Sequence, residues 1–525
     1  MSLIRSTSVI GGLTLVSRIA GFARDMLLSR ILGAGLAADA FFVAFRLPNL
    51  FRRLFAEGAF SAAYVPMFSQ RLHGDGGLSE AERFTEDVLS VFVPILILFT
   101  AVFEIIMPGF VWLMAAGYRD EPGKFQLTVE LTRIAFPYLF FISLVSLLTG
   151  VLNSMSKFAA GAAAPIFFNL TLISGALIGA WLRGPGGDDI VVARVMAVAI
   201  TVSGIVQFVW LWFWTKRTGF KLQMRRPRLT PEVRELGRIF LPATFGAGIY
   251  QLSQFVDTFF ATQLPQGSMA YLNYADRLNQ MPLGVIGIAL GTAILPTLAR
   301  HISTNDQEQA WRVQSNAIEL AMLLTVPAAF ALAICAGPLV SAFYVGGRFT
   351  AEDAAITAGV VAALVGGLPA YVLVKVLTPG FYARKDTKTP VKTAAIALAF
   401  NIVLNIVLIA RFGITGLAFA TAISSWLNTF MLYGILHHRG HYRINPGLWQ
   451  RLFRQLLAAL AMAGALLWLK PHLADHYAGG VIERIAAIGA LVAVGLIIYF
   501  GVAWAIGAVD KDRLQMLKRR RKKEA

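Results

Sequence analysis

Apolar residues in this chain do not alternate with polar ones. They come in long uncharged blocks separated by short, mostly basic connections. A helix needs roughly 20 apolar residues to cross a hydrocarbon core. Blocks of about that size lie at 134–156, 158–182, 195–215, 278–299, 320–347, 354–374, 412–438 and 485–509. Shorter blocks lie at 239–256, 393–410 and 455–469, and the block 88–117 is interrupted only by Glu104. Two N-terminal segments, near 8–32 and 37–60, are apolar but studded with arginines. The pattern predicts about 14 transmembrane helices in an all-α polytopic membrane protein. Strands of a membrane barrel would show alternating segments of about 10 residues, and the sequence has none. The first block is read as a retained helix, because Arg18 interrupts it and no small-residue cleavage site follows.

Composition agrees with that reading. Of 525 residues, 57% are hydrophobic and only 14% charged, and the mean hydropathy is +0.65. That is too little charge to cover soluble domains and too much apolar side chain for a disordered chain. A single cysteine, Cys335, excludes a disulfide framework and a cysteine-based zinc site. The net charge of +18 is concentrated in alternate connections: Lys216, Arg217, Lys221, Arg225, Arg226 and Arg228; Arg384, Lys385, Lys388 and Lys392; Arg439, Arg443, Arg451 and Arg454; and the C-terminal tail. By the positive-inside rule that face is cytoplasmic, and both termini lie on it. The charge is then topology and anionic-lipid contact rather than nucleic-acid binding.

The blocks repeat. Pro137 and Asn169 recur 232 residues on as Pro369 and Asn401, Arg46-Leu47 recurs as Arg277-Leu278, and Pro66 recurs as Pro296. This predicts two six-helix lobes, 1–219 and 220–439, the second opening with a basic linker. Two further helices follow in 440–509, then a basic cytoplasmic tail, 510–525. An even number of helices per lobe makes the repeats parallel, with a substrate path expected around a central cavity between them.

Ionisable residues within spans are costly, and they mark functional sites or buried pairs. The first span carries Arg18, Arg24 and Asp25, then Arg30. The second carries Asp39, Arg46, Arg52, Arg53 and Glu57. The eighth opens with Asp276-Arg277, and Lys375 lies in the tenth. Arginine's planar fork donates in pairs to phosphate oxygens and stays charged at any relevant pH. Arg18, Arg24, Arg52 and Arg277 are therefore candidates for binding a diphosphate. Snorkelling, or pairing with Asp25, Asp39 or Glu57, is the alternative, and it is preferred for Arg30 and Arg53. Arg18 and Arg24 lie about 120° apart on an ideal helix, so spacing alone does not make them converge. A second polar set comprises Asp257, Asn401, Asn405 and Thr421. Sodium, a proton on Asp257, and polar contacts between helices all remain open for it. Glu104 and Glu319 have no evident partner.

Enzymatic chemistry finds little support. There is no phosphate-binding Gly-x-x-x-x-Gly-Lys loop and no His-Glu-x-x-His. His437, His438 and His441 read as a solvated loop. A membrane glycosyltransferase would need a carboxylate on the outer face, where Asp188, Asp189, Glu352 and Asp353 are the candidates. Transport is the expected class, with no enzyme activity.

Residues 17–25, Ser-Arg-Ile-Ala-Gly-Phe-Ala-Arg-Asp, are followed by Gly33-Ala34-Gly35, by Asp39-Ala-Phe-Phe-Val-Ala-Phe45 and by Leu47-Pro-Asn-Leu-Phe-Arg-Arg-Leu-Phe-Ala-Glu-Gly-Ala-Phe60. Tyr274-Ala-Asp-Arg-Leu278, Pro379-Gly-Phe-Tyr-Ala-Arg384 and Lys388-Thr-Pro-Val-Lys392 add to these. Together they closely resemble the MurJ (MviN) family of bacterial lipid II flippases in the MOP exporter superfamily. The resemblance covers about 1–440 by motif and the last two helices by pattern. It implies 14 helices in the cytoplasmic (inner) membrane, with the last two forming a groove that reaches a central cavity. It also implies export of undecaprenyl-diphosphate-linked disaccharide-pentapeptide for peptidoglycan biosynthesis, and hence for cell-wall biogenesis and cell shape. The family's required arginines fall on Arg18, Arg24, Arg52 and Arg277, and its acidic motif positions on Asp25, Asp39 and Glu57. Asp276 beside Arg277 is taken with them. A sodium site of some members falls on Asp257, Asn401, Asn405, Leu417 (through its carbonyl) and Thr421, so Na+ is the one cofactor implied, as a coupling or structural ion. Expected partners are lipid II, membrane lipids and other cell-wall synthesis proteins, with no nucleic acid. Another polyprenyl-linked oligosaccharide is the alternative cargo.

Overall fold

A computed structural model describes residues 3–53, 59–223, 225–478 and 480–508. Among these the chain is helical, apart from turns and one isolated bridge between Gly346 and Phe349. The helices are α1 (Leu3–Leu32), α2 (Leu36–Arg52), α3 (Ala59–Leu72), α4 (Gly77–Met114), α5 (Pro122–Ala135), α6 (Tyr138–Ser154), α7 (Phe158–Arg183), α8 (Asp189–Arg217), α9 (Pro231–Ala261) and α10 (Ser268–Pro282). They continue with α11 (Ile288–Ser303), α12 (Gln307–Ile334), α13 (Ala336–Tyr344), α14 (Ala351–Val365), α15 (Leu368–Tyr382), α16 (Lys388–His438), α17 (Pro446–His472), α18 (Ala474–Ala478) and α19 (Val481–Ala505). A π-helical turn, Leu283–Gly287, joins α10 to α11.

Nine helical stretches among the described residues are long and apolar enough to cross a membrane. Their outward side chains have the character of lipid-facing surface: Ile105 is 75% exposed and Ile497 71%. Large apolar residues exposed in such numbers are foreign to water-soluble surfaces. The protein is an all-α, multi-pass membrane protein.

Local chemistry sets the breaks. Pro137 ends α5 and opens α6, and Pro369 stands in the first turn of α15 just after α14. Each proline lacks an N–H and clashes with the preceding turn. The 51-residue α16 is two spans that meet at Gly413, whose φ of 54° and ψ of −134° lie outside the helical region. The segment 122–133, too polar to register as part of a span, is helical as α5.

Helix starts carry the duplication. The elements α1 to α7 begin at 3, 36, 59, 77, 122, 138 and 158, and α9–α12 with α14–α16 begin at 231, 268, 288, 307, 351, 368 and 388, each 228–232 residues later. Contacts divide the chain into two compact units, Met1–Ala270 with Gly346–Thr350, and Tyr271–Val345 with Ala351–Ala525. The helix α9, which the repeat groups with the second lobe, packs on α3 and α4 of the first unit.

Within the first unit, α7 and α8 pack through small residues. A Cβ on Gly175 would overlap the Cβ of Ala199, and one on Gly179 would lie 3.1 Å from the Cα of Val192. Lipid offers no hydrophobic drive for helix association, so such close van der Waals contact supplies it. The short connection 346–350 also seats on this unit: the Arg348 N–H donates to the Arg30 carbonyl at 2.8 Å. Gly33, at φ 64°, has no room for a Cβ beneath the Arg348 carbonyl.

In the second unit one apolar cluster joins α11, α12, α15 and α16 around Val372, Val376, Phe381 and Leu432. Another seats α17 and α19 on α12 through Met462, Leu466, Leu491 and Tyr499. The Tyr499 hydroxyl donates to the Leu323 carbonyl at 2.8 Å. Glu319 finds its partner here, with Arg451 Nε of α17 3.1 Å away. Glu104 lies beside Arg133, whose Nε donates to the Glu104 carbonyl at 3.0 Å.

The connection before α16 is held by Asp386, which accepts from the backbone N–H groups of Lys388 and Thr389, from the Thr389 hydroxyl and from Arg439. The Thr389 bonds, followed by Arg439, hold this carboxyl well below the usual aspartate range. A depressed carboxyl stabilises the fold above its unfolded pKa, and that contribution fades as pH falls below about 4. Asp386→Asn should cost on the order of 0.5–1 kcal/mol at neutral pH, the range of a screened pair plus a cap. It should also flatten the loss of thermal stability between pH 5 and 3, as read by unfolding midpoints of purified protein. Gly175→Val should destabilise by about 1–3 kcal/mol through overpacking, which the same melting measurement checks.

Candidate functional site

The first unit gathers the charged residues of the first two spans. On α1, Ser17, Gly21 and Arg24 share one face, spaced four and three residues apart, and that face meets α7. Arg24 is only 6% exposed. Its Nε and Nη2 donate to Asp25 Oδ1 at 2.9 and 2.7 Å, and Nη1 donates to Asn169 Oδ1 at 3.1 Å. Asn169 is itself oriented by donating through Nδ2 to the carbonyls of Ser17 and Pro165, both at 3.0 Å. A Cβ on Gly21 would lie 3.5 Å from the Asn169 amide, an ordinary contact distance, so Gly21 stands directly against that amide without being required by space. The guanidinium also lies 5.7 Å from the Phe168 ring centroid. Arg18 is exposed on α1, which runs helical through Gly21. The two arginines therefore differ in environment, one buried and one exposed.

Along α2, Asp39 is buried at 1% exposure. Lys124 of α5 donates to its Oδ2 at 3.2 Å, and the backbone N–H groups of Gly267 and Ala270 donate to Oδ2 and Oδ1 at 2.8 and 3.2 Å. The Lys124 ammonium also lies 4.2 Å from the Tyr118 ring centroid. Arg46 donates to the Thr258 hydroxyl at 2.9 Å and to the Gln254 carbonyl at 3.3 Å, tying α2 to α9. Arg52 donates from Nε and Nη2 to Asn49 Oδ1 at 3.1 and 2.8 Å. Glu57 lies outside the described residues.

Arg277 and Asp276 belong to the second unit, both half-buried on α10. Asp276 accepts a hydrogen bond from Gln280. Of the second polar set, Asn401 and Asn405 come together through a 3.1 Å bond from Asn405 Nδ2 to Asn401 Oδ1, and Thr421 donates to the Leu417 carbonyl at 3.1 Å. Asp257 is buried on α9, in the first unit.

The four carboxylates expected on the outer face are Asp188, Asp189, Glu352 and Asp353, and three of them have structural work. Asp188 caps α8 by accepting from Ile190 N–H at 2.9 Å. Asp189 takes Arg183 and Arg348, and Asp353 accepts from the Tyr271 hydroxyl at 2.7 Å. Glu352 is exposed.

Sequence reading missed Lys124 and Asn49, and marked Asn169 only as a repeat position. Lys124 is a lone lysine in a segment that does not read as a span. Asn49 stands three residues before Arg52, within one helical turn, so its partnership was legible in principle.

Against known proteins, the sequence profile of the family described as "Lipid II flippase MurJ" matches residues 28–487. The probable lipid II flippase MurJ of Rhizobium tropici is 38% identical over 99% of this chain and 98% of its own length. The lipid II flippase MurJ of Burkholderia cenocepacia is 35% identical over 97% of this chain and 98% of its own. A solved lipid II flippase MurJ in an inward closed conformation superposes with a TM-score of 0.75 at 24% identity, covering 94% of this chain and 97% of that one. An inward-facing MATE-family multidrug transporter of the MOP superfamily superposes with a TM-score of 0.67 at 13% identity, covering 82% of this chain and 98% of that one. The two structures share the fold, and the sequence relationships are full-length. The chain belongs to the lipid II flippase MurJ family.

Proposed function

We propose that this protein moves lipid II, the undecaprenyl-diphosphate-linked peptidoglycan precursor, from the cytoplasmic to the periplasmic leaflet of the bacterial inner membrane by alternating access. The observation that carries the reading is the buried Arg24, pre-positioned by Asp25 and Asn169 in a unit that also carries Arg18 and Arg52. A guanidinium fixed this way loses little side-chain freedom on taking a phosphate oxygen. Arg18, exposed on the same helix, supplies the first attraction. Arg277, the remaining arginine of the family's motif positions, is the fourth ligand in this reading.

The repeats supply the motion. Two pseudo-equivalent lobes, 1–219 and 220–439, rock about the bound headgroup while the polyprenyl chain stays in lipid along α17 and α19. Binding a diphosphate neutralises guanidinium charges that otherwise repel. The empty carrier returns with surplus positive charge, worth about 2.3 kcal/mol per charge per 100 mV. An inside-negative potential then favours the inward-facing reset. Lys/Arg placement supports cytoplasmic termini, and the basic tail lies outside the described residues. The activity is transport rather than catalysis, and the structural engagement of Asp188, Asp189 and Asp353 argues against a glycosyltransferase site.

Sodium fits the second polar set in part. Asn405 Oδ1 is buried without a hydrogen-bond partner among the described residues, and amide, carbonyl and hydroxyl oxygens suit a hard cation. Within the second unit Asn401, Asn405, Leu417 and Thr421 would hold it, and its charge would order the polar groups of α16.

The most direct test is Arg18→Ala, because the side chain is exposed and its truncation opens no buried cavity. Cells carrying only this variant should lose lipid II from the outer leaflet with normal protein amounts, whereas undiminished outer-leaflet lipid II would refute the assignment. Arg24→Ala removes two donors from the buried Asp25, at a cost of about 3–5 kcal/mol, and should lower protein amounts. Arg24→Ala with Asp25→Ala should restore the amount but not export, measured by immunoblot alongside the leaflet assay.

A further inference from the structure

Asp39 stands among the residues expected to touch substrate, yet both its oxygens are committed to protein donors. The donors identify a different task. The helix α10 starts at Ser268. Gly267, at φ 94°, immediately precedes it and has no side chain with which to cap it. The Ser268 hydroxyl turns away to donate to the Pro265 carbonyl at 2.7 Å. The first N–H groups of a helix have no partner inside it, and here two of them, from Gly267 and Ala270, are taken by Asp39 across 228 and 231 positions of sequence. A carboxylate at a helix N-terminus also meets the positive end of the helix dipole. Lys124 balances the charge, and at 2% exposure it too is buried.

We infer that Asp39, with Lys124 as its counter-ion, is a positioning residue. It caps α10 from α2 and thereby sets the helix that presents Arg277, nine residues after Ser268. The same carboxylate fixes the start of α2, which carries Arg46 and Arg52, against α5. One buried pair thus anchors the starts of two arginine-bearing helices without itself meeting the headgroup. Asparagine at position 39 keeps an acceptor but loses the charge that both the helix dipole and Lys124 require. The inference rests on the diphosphate-binding reading of Arg277, and the experiment separates the two.

The experiment is a double-mutant cycle on full-length purified protein, with undecaprenyl diphosphate in detergent as the probe and Kd as the readout. Arg277→Ala alone should weaken binding. Asp39→Asn alone should weaken it by about tenfold, the scale of a lost helix cap. In the Arg277→Ala background, Asp39→Asn should change Kd less than twofold, because its effect passes through Arg277. The full tenfold persisting in that background would overturn the positioning role and assign Asp39 to the headgroup or to general stability. An unchanged Kd for Arg277→Ala would instead refute Arg277 as an anion ligand, and the positioning role with it. Asp39→Asn with Lys124→Met leaves no unpaired charge, so it replaces Asp39→Asn in the same cycle should that variant fold poorly. Thermal unfolding midpoints of all variants distinguish a changed site from a loosened protein.

Discussion

A charge held among apolar helices persists only where opposite charge or oriented dipoles reach it, and the first unit is organised by that requirement. Arg24 is buried against Asp25 and Asn169, which accept its hydrogen bonds. Lys124 and two helix N–H groups converge on the buried Asp39. Each pair also fixes a helix contact, α1 to α7 in the first case and α2 to α5 and α10 in the second. Electrostatic necessity and helix packing are met by the same atoms. Lipid provides no hydrophobic drive, so polar clasps and small-residue contacts such as Gly175 against Ala199 hold the helices.

The duplication divides the labour. Asn169 and Asn401 occupy matching positions in α7 and α16, but their partners differ. Asn169 orients a guanidinium, whereas Asn401 accepts from another asparagine, Asn405. Between 239 and 261, the stretch that answers the arginine-bearing part of α1, the sequence has no lysine or arginine, and Asp257 is its one charge. One copy thus holds a buried guanidinium where the other holds an amide pair and a single carboxylate.

Much of this was legible from sequence because its signals are local. Uncharged blocks, Pro137 and Pro369 at helix breaks, and arginines within the first two spans follow from residue type and spacing. The break at Gly413 falls within two residues of the gap between the blocks 393–410 and 412–438. What escaped depends on residues far apart in the chain. Glu319 and Arg451 are 132 positions apart, Asp39 and Lys124 are 85 apart, and nothing local pairs them. The helix α5 escaped for a different reason: tertiary contacts bury its polar first turns, which hydropathy discards. Arg24 was recognised as a guanidinium of interest, but its burial, and so the damage its removal does to Asp25, came only from the fold.

The account stands on guanidinium groups receiving a diphosphate, and affinity measured against headgroup charge and salt tests that most directly. Purified protein should bind undecaprenyl diphosphate more tightly than undecaprenyl monophosphate, and both more tightly than undecaprenol. Raising the salt concentration should erase most of the difference as screening grows. Equal affinity for all three, unchanged by salt, would mean that the polyprenyl chain alone is recognised and would contradict the account.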